Sequence, residues 1–139
     1  MICPFCQINK TRNKILKEGK NTIVIFSNPR LMRGHLLVIP KRHVKKLSEL
    51  SQEEQKELFD TAIEFQEKIL QKLASGCDIR QHYRPFIKQN NLKINHLHIH
   101  LQPRELNDEL YQKSQKYHRD IFKSLENQEV KEITQLFFK

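Results

Sequence analysis

The chain has 139 residues, of which 37% are hydrophobic and 29% are charged. A chain near ~150 residues can bury roughly two-thirds of the surface that its unfolded form exposes, so a core can form here without disulfides. This composition excludes a disordered tail, and the sequence contains no apolar run near the ~18 residues that a membrane-spanning helix needs. We therefore expect one domain over residues 1–139.

The charge is positive and unevenly distributed. The formal net charge is +9, because 25 Lys and Arg residues face 16 Asp and Glu residues. Residues 1–46 contain 11 basic residues and 1 acidic residue, and residues 77–104 contain 5 and 1. Such a surface attracts polyanions such as nucleotides, phosphorylated metabolites or nucleic acid, whereas the alternative is that the charge serves only solubility.

The start of the sequence does not predict export. Its first residues lack the basic segment and apolar run of a secretory signal. We therefore expect a cytoplasmic chain with no membrane partner, whose three cysteines are reduced.

The first half of the chain predicts two strands and a long helix. The β-branched and aromatic run Thr22–Phe26 predicts a strand, and the apolar run 36–39 predicts a second strand that is buried on both faces. Ser51 and Glu54 have the spacing of a capping box. The apolar residues that follow recur at helical spacing, and Gly76 is predicted to end that helix.

The second half predicts two further strands and more helix. Residues 78–84 are interpreted as a strand that Pro85 ends, and residues 95–102 alternate polar and apolar with the period of a strand. From Asn107 a helix is predicted, with apolar residues on one face. Strands joined by long or helical connections favour an α+β fold, in which helices cover a sheet.

The strongest pattern is the run His96-Leu97-His98-Ile99-His100. Successive side chains of a strand point to opposite faces, so the alternating apolar residues are expected in the core and the three imidazoles together on the other face. Three imidazoles on one face repel one another when protonated and are costly to bury without partners. This argues against a purely structural role and leaves metal ligation or phosphate chemistry.

An imidazole suits phosphoryl or nucleotidyl transfer. One ring nitrogen can attack phosphorus while a hydrogen bond to the other nitrogen fixes the tautomer. The middle residue of the three, His98, has a histidine on each side of it that can position it and donate to phosphate oxygens. The pattern therefore favours His98 as the nucleophile.

A second motif is Cys3-Pro4-Phe5-Cys6. Two thiolates from one turn are half of a tetrahedral zinc site, but the pair alone is also compatible with a redox motif or with chance. A redox motif would open a helix in a βαβ unit, and the short preceding chain does not provide that context. A zinc site would need two histidines from elsewhere in the chain.

These motifs together resemble the histidine triad (HIT) superfamily of nucleotidyl hydrolases and transferases. The resemblance rests on the stretch 34–43 (Gly-His-Leu-Leu-Val-Ile-Pro-Lys-Arg-His), on the His-x-His-x-His run, and on the Pro-Arg pair that follows it. It covers a core at about 3–104 and leaves a C-terminal helical extension at 105–139. It implies a five-stranded antiparallel sheet with a long central helix, and a homodimer that cleaves phosphoanhydride or phosphoramidate bonds of nucleotides.

The resemblance also implies roles for individual residues. By similarity His98 would carry the nucleotidyl group, His100 would contact phosphate, and His35 would support them by hydrogen bonding. Asn28 lies near the position where the family has a ribose-binding residue, and Phe5 either lines the base pocket or packs in the core. Zinc-binding members of the superfamily imply a structural zinc ion held by four residues here, Cys3, Cys6, His43 and His96.

The sequence departs from the family pattern just before the three histidines. Where the family often has Gly-Gln-Ser/Thr, which helps the leaving group depart, this chain has residues 91–93, Asn-Leu-Lys. Lys93 either stabilises a departing phosphate or is solvated. The asparagine that the family has on a strand farther upstream is also not evident, and His82 or neighbouring Gln81 is the nearest candidate. The face that His82 shares with Arg80 and Arg84 either extends the phosphate site or is a solvated edge.

Two alternative functions remain at this point. A basic zinc-containing nucleic-acid-binding module would explain the charge, but the chain lacks the tight Cys and His spacing of a zinc finger and interleaved aromatic residues, so a nucleic-acid partner is not expected. A non-catalytic nucleotide-binding module would explain the missing glutamine and hydroxyl before the three histidines.

Overall fold

The computed structural model describes residues 3–139. Contacts within the chain divide it into two units, one up to Asp108 and one from Glu109 to Lys139. The first unit contains, in chain order, β1 (Ile15–Glu18), β2 (Thr22–Phe26), β3 (Leu36–Pro40), a 3-10 helix (Leu47–Glu49), α1 (Gln52–Lys72), β4 (Gly76–Gln81) and β5 (Ile99–Arg104). The expectation of one domain over residues 1–139 stays a prediction.

The strands form one antiparallel sheet in the order β1-β2-β3-β5-β4. The predicted α+β architecture, with five antiparallel strands, a long helix and a further C-terminal helix, is confirmed. β1 is the strand that the pattern did not indicate, because two of its four residues are charged. It extends the sheet by pairing with β2 across a bulge.

The two faces of the sheet have different partners. α1 buries Leu58, Ala62 and Phe65 against one face, which includes Ile99 and Leu101 of β5. Burying one Leu or Ile side chain contributes roughly 1.5–3 kcal/mol, so this contact dominates the core. The opposite face carries a smaller apolar cluster from β2 and β3, against which the N-terminal segment packs. Alternation along β5 therefore directs its polar residues away from α1.

α1 begins as the sequence predicts and ends earlier. The Glu54 backbone N–H donates to the Ser51 hydroxyl at 3.1 Å, and the Ser51 N–H donates to the Glu54 carboxylate at 2.9 Å, which confirms the capping box. The prediction that Gly76 ends the helix is wrong, because α1 ends at Lys72 and Gly76 is the first residue of β4. Among the glycines that the structure describes, only Gly34 has a positive φ, which is +83°.

Both later strands are displaced from their predicted positions. The predicted strand at 78–84 ends at Gln81, because Gln81 pairs with Ile99, which is the first residue of β5. The predicted strand at 95–102 is observed at Ile99–Arg104. The last registered pair between β3 and β5 is Val38 with Ile99, and before it the Leu97 N–H donates to the Val44 carbonyl of a loop instead.

The second unit contains α2 (Glu109–Lys113), a 3-10 helix (Gln115–Asp120) and α3 (Asn127–Phe138). The helix predicted from Asn107 begins at Glu109 and is interrupted at Ser114, and Asn107 itself has a φ of 58°. The apolar residues predicted to share one face, such as Tyr117 and Leu125, are more than half exposed. Within residues 3–139 no helix combines the length and the apolar character needed to cross a membrane.

Candidate functional site

Four predicted metal ligands lie together beside the end of β3. The ligand atoms of Cys3, Cys6, His43 and His96 all lie within 4.8 Å of one another. The two Nδ1 atoms of the histidines are 3.2 Å apart, and Cys6 Sγ lies 3.1 Å from the Nδ1 of His43. Cys3 Sγ lies 3.4 Å from the Nδ1 of His96. The structure therefore brings together residues that are more than 90 positions apart in sequence.

A backbone carbonyl determines which nitrogen of His96 is available. The Nε2 of His96 lies 2.7 Å from the Pro40 carbonyl oxygen, and because a carbonyl only accepts, this nitrogen carries the hydrogen. The Nδ1 that faces the two thiols is then unprotonated in the neutral ring. Burial lowers the pKa of His96, which favours that neutral form.

The arrangement fits a tetrahedral metal ion. With zinc's usual bond lengths, the edges of a Cys₂His₂ tetrahedron are about 3.3 to 3.8 Å. Four of the separations between the donor atoms here are 3.1, 3.2, 3.4 and 3.5 Å, which is close to those values. Thiolate sulfur and imidazole nitrogen are the ligands that zinc prefers in structural sites. These four residues could hold such an ion.

His98 presents the opposite nitrogen. Its Nδ1 lies 2.7 Å from the backbone carbonyl oxygen of His96, so Nδ1 carries the hydrogen and Nε2 has a free lone pair. The Phe5 ring packs edge-on against the His98 ring, with centroids 5.2 Å apart. Burial lowers the pKa of His98, so the ring is neutral and its Nε2 is unprotonated at neutral pH.

A chain of hydrogen bonds determines the tautomer of His100. The Leu31 backbone N–H donates to Nδ1 of His35 at 3.1 Å, so in the neutral ring the hydrogen of His35 is on Nε2. That Nε2 donates to Nδ1 of His100 at 2.9 Å, which leaves the hydrogen of His100 on Nε2. Burial first, and then the neighbouring His98, lowers the pKa of His35 to about 4 and that of His100 to about 3. Both rings are therefore neutral at neutral pH.

A cavity of about 480 Å³ adjoins these rings. Phe5, Asn28, His98 and His100 line it together. Asn28 is exposed, and its side-chain amide donates to the Arg12 carbonyl at 3.4 Å. The arrangement offers a nucleophilic nitrogen and an N–H donor within one concave site, which is what attack on an electrophilic phosphorus requires.

The sequence model of the HIT domain matches residues 7–107. The chain belongs to the HIT domain family.

An uncharacterized HIT-like protein of Chlamydia muridarum is 33% identical over 87 residues, which make up 60% of this chain and 65% of that protein. The match thus spans slightly less than two thirds of that relative. A HIT family member from Bacillus subtilis has a TM-score of 0.75 and 21% identity, over 99% of this chain and 95% of the other, and shows the fold. A Zn-bound histidine triad family protein from Mycobacterium smegmatis has a TM-score of 0.66 and 26% identity, over 78% of each chain.

Two predicted substrate-binding residues of this HIT domain lie away from the cavity that His98 lines. The Lys93 ammonium donates to the backbone carbonyls of Arg84 and Ile87, and so holds the turn that they form. The His82 ring lies against the His100 ring, with centroids 5.3 Å apart. Both residues line a second cavity, so their roles in substrate binding stay predictions.

The groups that sequence reasoning missed are mostly backbone atoms. The Pro40 carbonyl, the His96 carbonyl and the Leu31 N–H select the tautomers of this HIT site. No side-chain pattern could have revealed them. Arg42 was also missed, and its guanidinium donates to the Glu54 carboxylate at 2.8 Å, next in sequence to the candidate ligand His43. Arg42 belongs to the stretch 34–43 that carries the resemblance, but its ion pair could not be predicted, because its partner Glu54 lies in the first turn of α1.

Proposed function

We propose that this HIT domain is a nucleotide hydrolase or nucleotidyl transferase. It cleaves a phosphoanhydride or phosphoramidate bond at the α-phosphate of a nucleotide, such as a dinucleoside polyphosphate or an adenylylated compound. The observation that carries the proposal is the hydrogen bond from His98 Nδ1 to the His96 carbonyl, which leaves Nε2 of His98 as an unprotonated nucleophile beside the cavity.

The proposed reaction has two displacements at phosphorus. In the first, Nε2 of His98 forms a bond to the α-phosphorus while the bond from phosphorus to the leaving group breaks, and the bonding electrons go to the leaving group. In the second, water attacks the nucleotidyl-histidine, the P–N bond breaks with its electrons returning to Nε2, and the water proton is released. The His96 carbonyl stabilises the positive ring of the intermediate through Nδ1–H.

The other residues bind and orient the nucleotide. His100 donates its Nε2–H to a phosphate oxygen, and His35 keeps that hydrogen on Nε2. In the same proposal Asn28 binds the ribose and Phe5 forms a wall for the base, because both line the cavity with His98.

We further propose that Cys3, Cys6, His43 and His96 hold a structural zinc ion. The ion would supply a positive charge and a fixed crosslink between the N-terminal segment and the residues that precede β5. The spacing and chemistry of the donors support this, and the similar Mycobacterium smegmatis protein is Zn-bound. His96 then fixes the backbone carbonyl to which His98 donates.

The homodimer and the cytoplasmic location stay predictions of this proposal. β4 is an edge strand of the sheet, and its Ile79 side chain is 41% exposed, which is compatible with a second copy at that edge.

Trapping the intermediate tests the function. The zinc-loaded protein is incubated with a dinucleoside polyphosphate or an adenosine phosphoramidate and quenched, and the peptide that contains residues 96–104 is analysed by mass spectrometry while released AMP is assayed. We expect a nucleotidyl adduct on His98 together with AMP. Nucleotide binding with neither adduct nor AMP would identify a non-catalytic binding module. Tighter binding of nucleic acid than of nucleotides, with steep salt dependence, would favour the nucleic-acid-binding module.

A further inference from the structure

A second cavity, of about 170 Å³, adjoins the proposed catalytic site. Lys45, Arg84 and Lys93 line it, and so does His82, whose ring lies against the ring of His100. Ile94 lines both this cavity and the larger one beside His98. A ligand that extends from the larger cavity would therefore reach the second one past His82 and Ile94.

The second cavity is lined by cationic side chains whose charges no acidic side chain of the cavity neutralises. None of its ten lining residues, all within the described part of the chain, is acidic. Neither Lys45 nor Arg84 forms a salt bridge within residues 3–139, whereas the nearby Lys41 and Arg42 are paired with glutamates. Both unpaired side chains belong to exposed residues, so their charges are available to an anion from solvent.

The position of Arg84 is maintained by Lys93. The Lys93 ammonium donates to the carbonyls of Arg84 and Ile87, which fixes the turn that carries the guanidinium. Burial lowers the pKa of His82, and the charges of Arg84 and then Arg80 lower it further. Arg80 also pairs with His100 in the sheet, so positive charge extends from the catalytic rings along β4.

The chemistry of the leaving group distinguishes two kinds of substrate. An amine leaves phosphorus readily only when an acid protonates it, whereas a polyphosphate leaves as a stable anion that needs positive charge and no proton. Residues 91–93 of this chain are Asn-Leu-Lys, and the Lys93 ammonium already donates to two carbonyls. The site is thus better equipped for an anionic leaving group than for an amine.

We propose that the cavity formed by Lys45, His82 and Arg84 binds the phosphates of the leaving group, so that the preferred substrates are nucleotides with a polyphosphate leaving group. This inference rests on the proposed function. In the first displacement the electrons of the broken P–O bond stay on the bridging oxygen of the departing polyphosphate. Lys45 and Arg84 stabilise the negative charge of that product.

The test compares two substrates in one pair of variants. For wild type and for Lys45→Ala/Arg84→Ala, kcat/KM is measured with diadenosine tetraphosphate and with adenosine 5′-phosphoramidate. We expect a roughly 10- to 100-fold loss for the tetraphosphate and a change within about threefold for the phosphoramidate, since only the first places phosphates in the cavity. The matched control Lys68→Ala/Lys72→Ala removes two positive charges from α1, on the other side of the sheet, and is expected to change neither value beyond about twofold.

Inhibition by inorganic anions tests whether the cavity prefers a polyphosphate to a single phosphate. Inorganic tripolyphosphate is expected to inhibit phosphoramidate hydrolysis by the wild type, with an inhibition constant at least about tenfold higher in the double variant. Inorganic monophosphate that inhibits as strongly would overturn the assignment to a polyphosphate.

The inference and the proposed function fail in different ways. If the double variant loses kcat/KM equally for both substrates, or if the wild-type protein hydrolyses the phosphoramidate and not the tetraphosphate, the inference is overturned and the proposed function is retained. A wild type that turns over neither substrate would overturn both.

Discussion

Two imidazoles that are two residues apart, His96 and His98, are prepared for different tasks by backbone carbonyls. His96 donates from Nε2 to Pro40 and turns Nδ1 toward two thiols, whereas His98 donates from Nδ1 to His96 and leaves Nε2 free beside a cavity. The residue type is identical, His96 is buried and His98 is half-buried, and burial lowers both pKa values. The difference shows that the position of the carbonyl, and not the side chain, determines which nitrogen is available to a metal ion or to phosphorus.

The largest expected effect comes from removing the free nitrogen of His98. We expect His98→Ala to lower kcat for nucleotide hydrolysis at least about a thousandfold, because the proposed covalent bond forms at Nε2 of His98. The metal content and the midpoint of urea unfolding should stay near the wild-type values. The control His118→Ala removes an exposed histidine of the second unit and should leave kcat unchanged. Wild-type turnover by His98→Ala would show that the two imidazoles do not differ in the proposed way.

Removing a ligand from the proposed zinc site, to which His96 belongs, should act mainly on the stability of the fold. We expect Cys6→Ser to lose bound zinc and to lower the free energy of unfolding by at least about 3 kcal/mol, because structural zinc binding is coupled to folding. The activity should fall by about 10- to 100-fold, since His96 also holds the carbonyl to which His98 donates. Zinc analysis, urea unfolding and kcat measure these effects. The matched Cys77→Ser removes a cysteine outside the four ligands and should keep its zinc, so loss of zinc from both variants would contradict the assignment.

Gly34 precedes His35, and its backbone is required to bring that ring to His100. Its φ is +83°, and a Cβ there would overlap Leu73 Cδ2 and lie 3.2 Å from Pro103 Cγ. We expect Gly34→Ala to lower the free energy of unfolding by about 2 kcal/mol and to lower kcat as well. Gly76→Ala is the control, because the nearest atoms to its added Cβ are at 3.5 Å. Equal unfolding midpoints for the two variants would refute this explanation.

The smallest effect concerns the ion pair beside the metal ligands. The Arg42 guanidinium, followed by hydrogen bonding to Ser51, lowers the pKa of Glu54 to about 2 from its ordinary value of 4.5. A carboxyl with a lowered folded-state pKa stabilises the protein above its unfolded-state pKa, and that stability is lost as the pH falls from about 4.5 to 2.

We therefore expect Glu54→Gln to unfold with a weaker pH dependence over this range, and to be about 1 kcal/mol or less below wild type at pH 7, because the Arg42 side chain is half exposed. Urea unfolding at several pH values measures this. Glu53→Gln, at a more exposed position of the same helix turn, should retain the wild-type slope.

Much of the fold could be predicted from local pattern. The strands β2 and β3 and the start of α1 follow from β-branched runs and a capping box, which are encoded by adjacent residues. The ends of β4 and β5 could not be predicted, because they depend on where the partner strand stops. The second unit was predicted least well, since its apolar residues are exposed and periodicity is informative only when a face is buried.

The candidate site was predictable as a set of residues and not as a mechanism. The spacing of the histidines indicated a shared face, and the resemblance supplied the ligands Cys3, Cys6, His43 and His96, which the structure brings together. The tautomers depend on the backbone groups of Leu31, Pro40 and His96, whose positions are tertiary. Lys93 shows the same limit, because its binding to two carbonyls depends on a turn with no sequence signature.

The most direct test of the account is the tautomer of His98 in the zinc-loaded protein at neutral pH. Two-bond ¹H–¹⁵N correlation spectra of the imidazoles identify which nitrogen carries the hydrogen, and the His98→Ala spectrum assigns the ring. We expect His98 to carry its hydrogen on Nδ1 and His96 to carry its hydrogen on Nε2. A hydrogen on Nε2 of His98 would remove the free nucleophile and contradict the account.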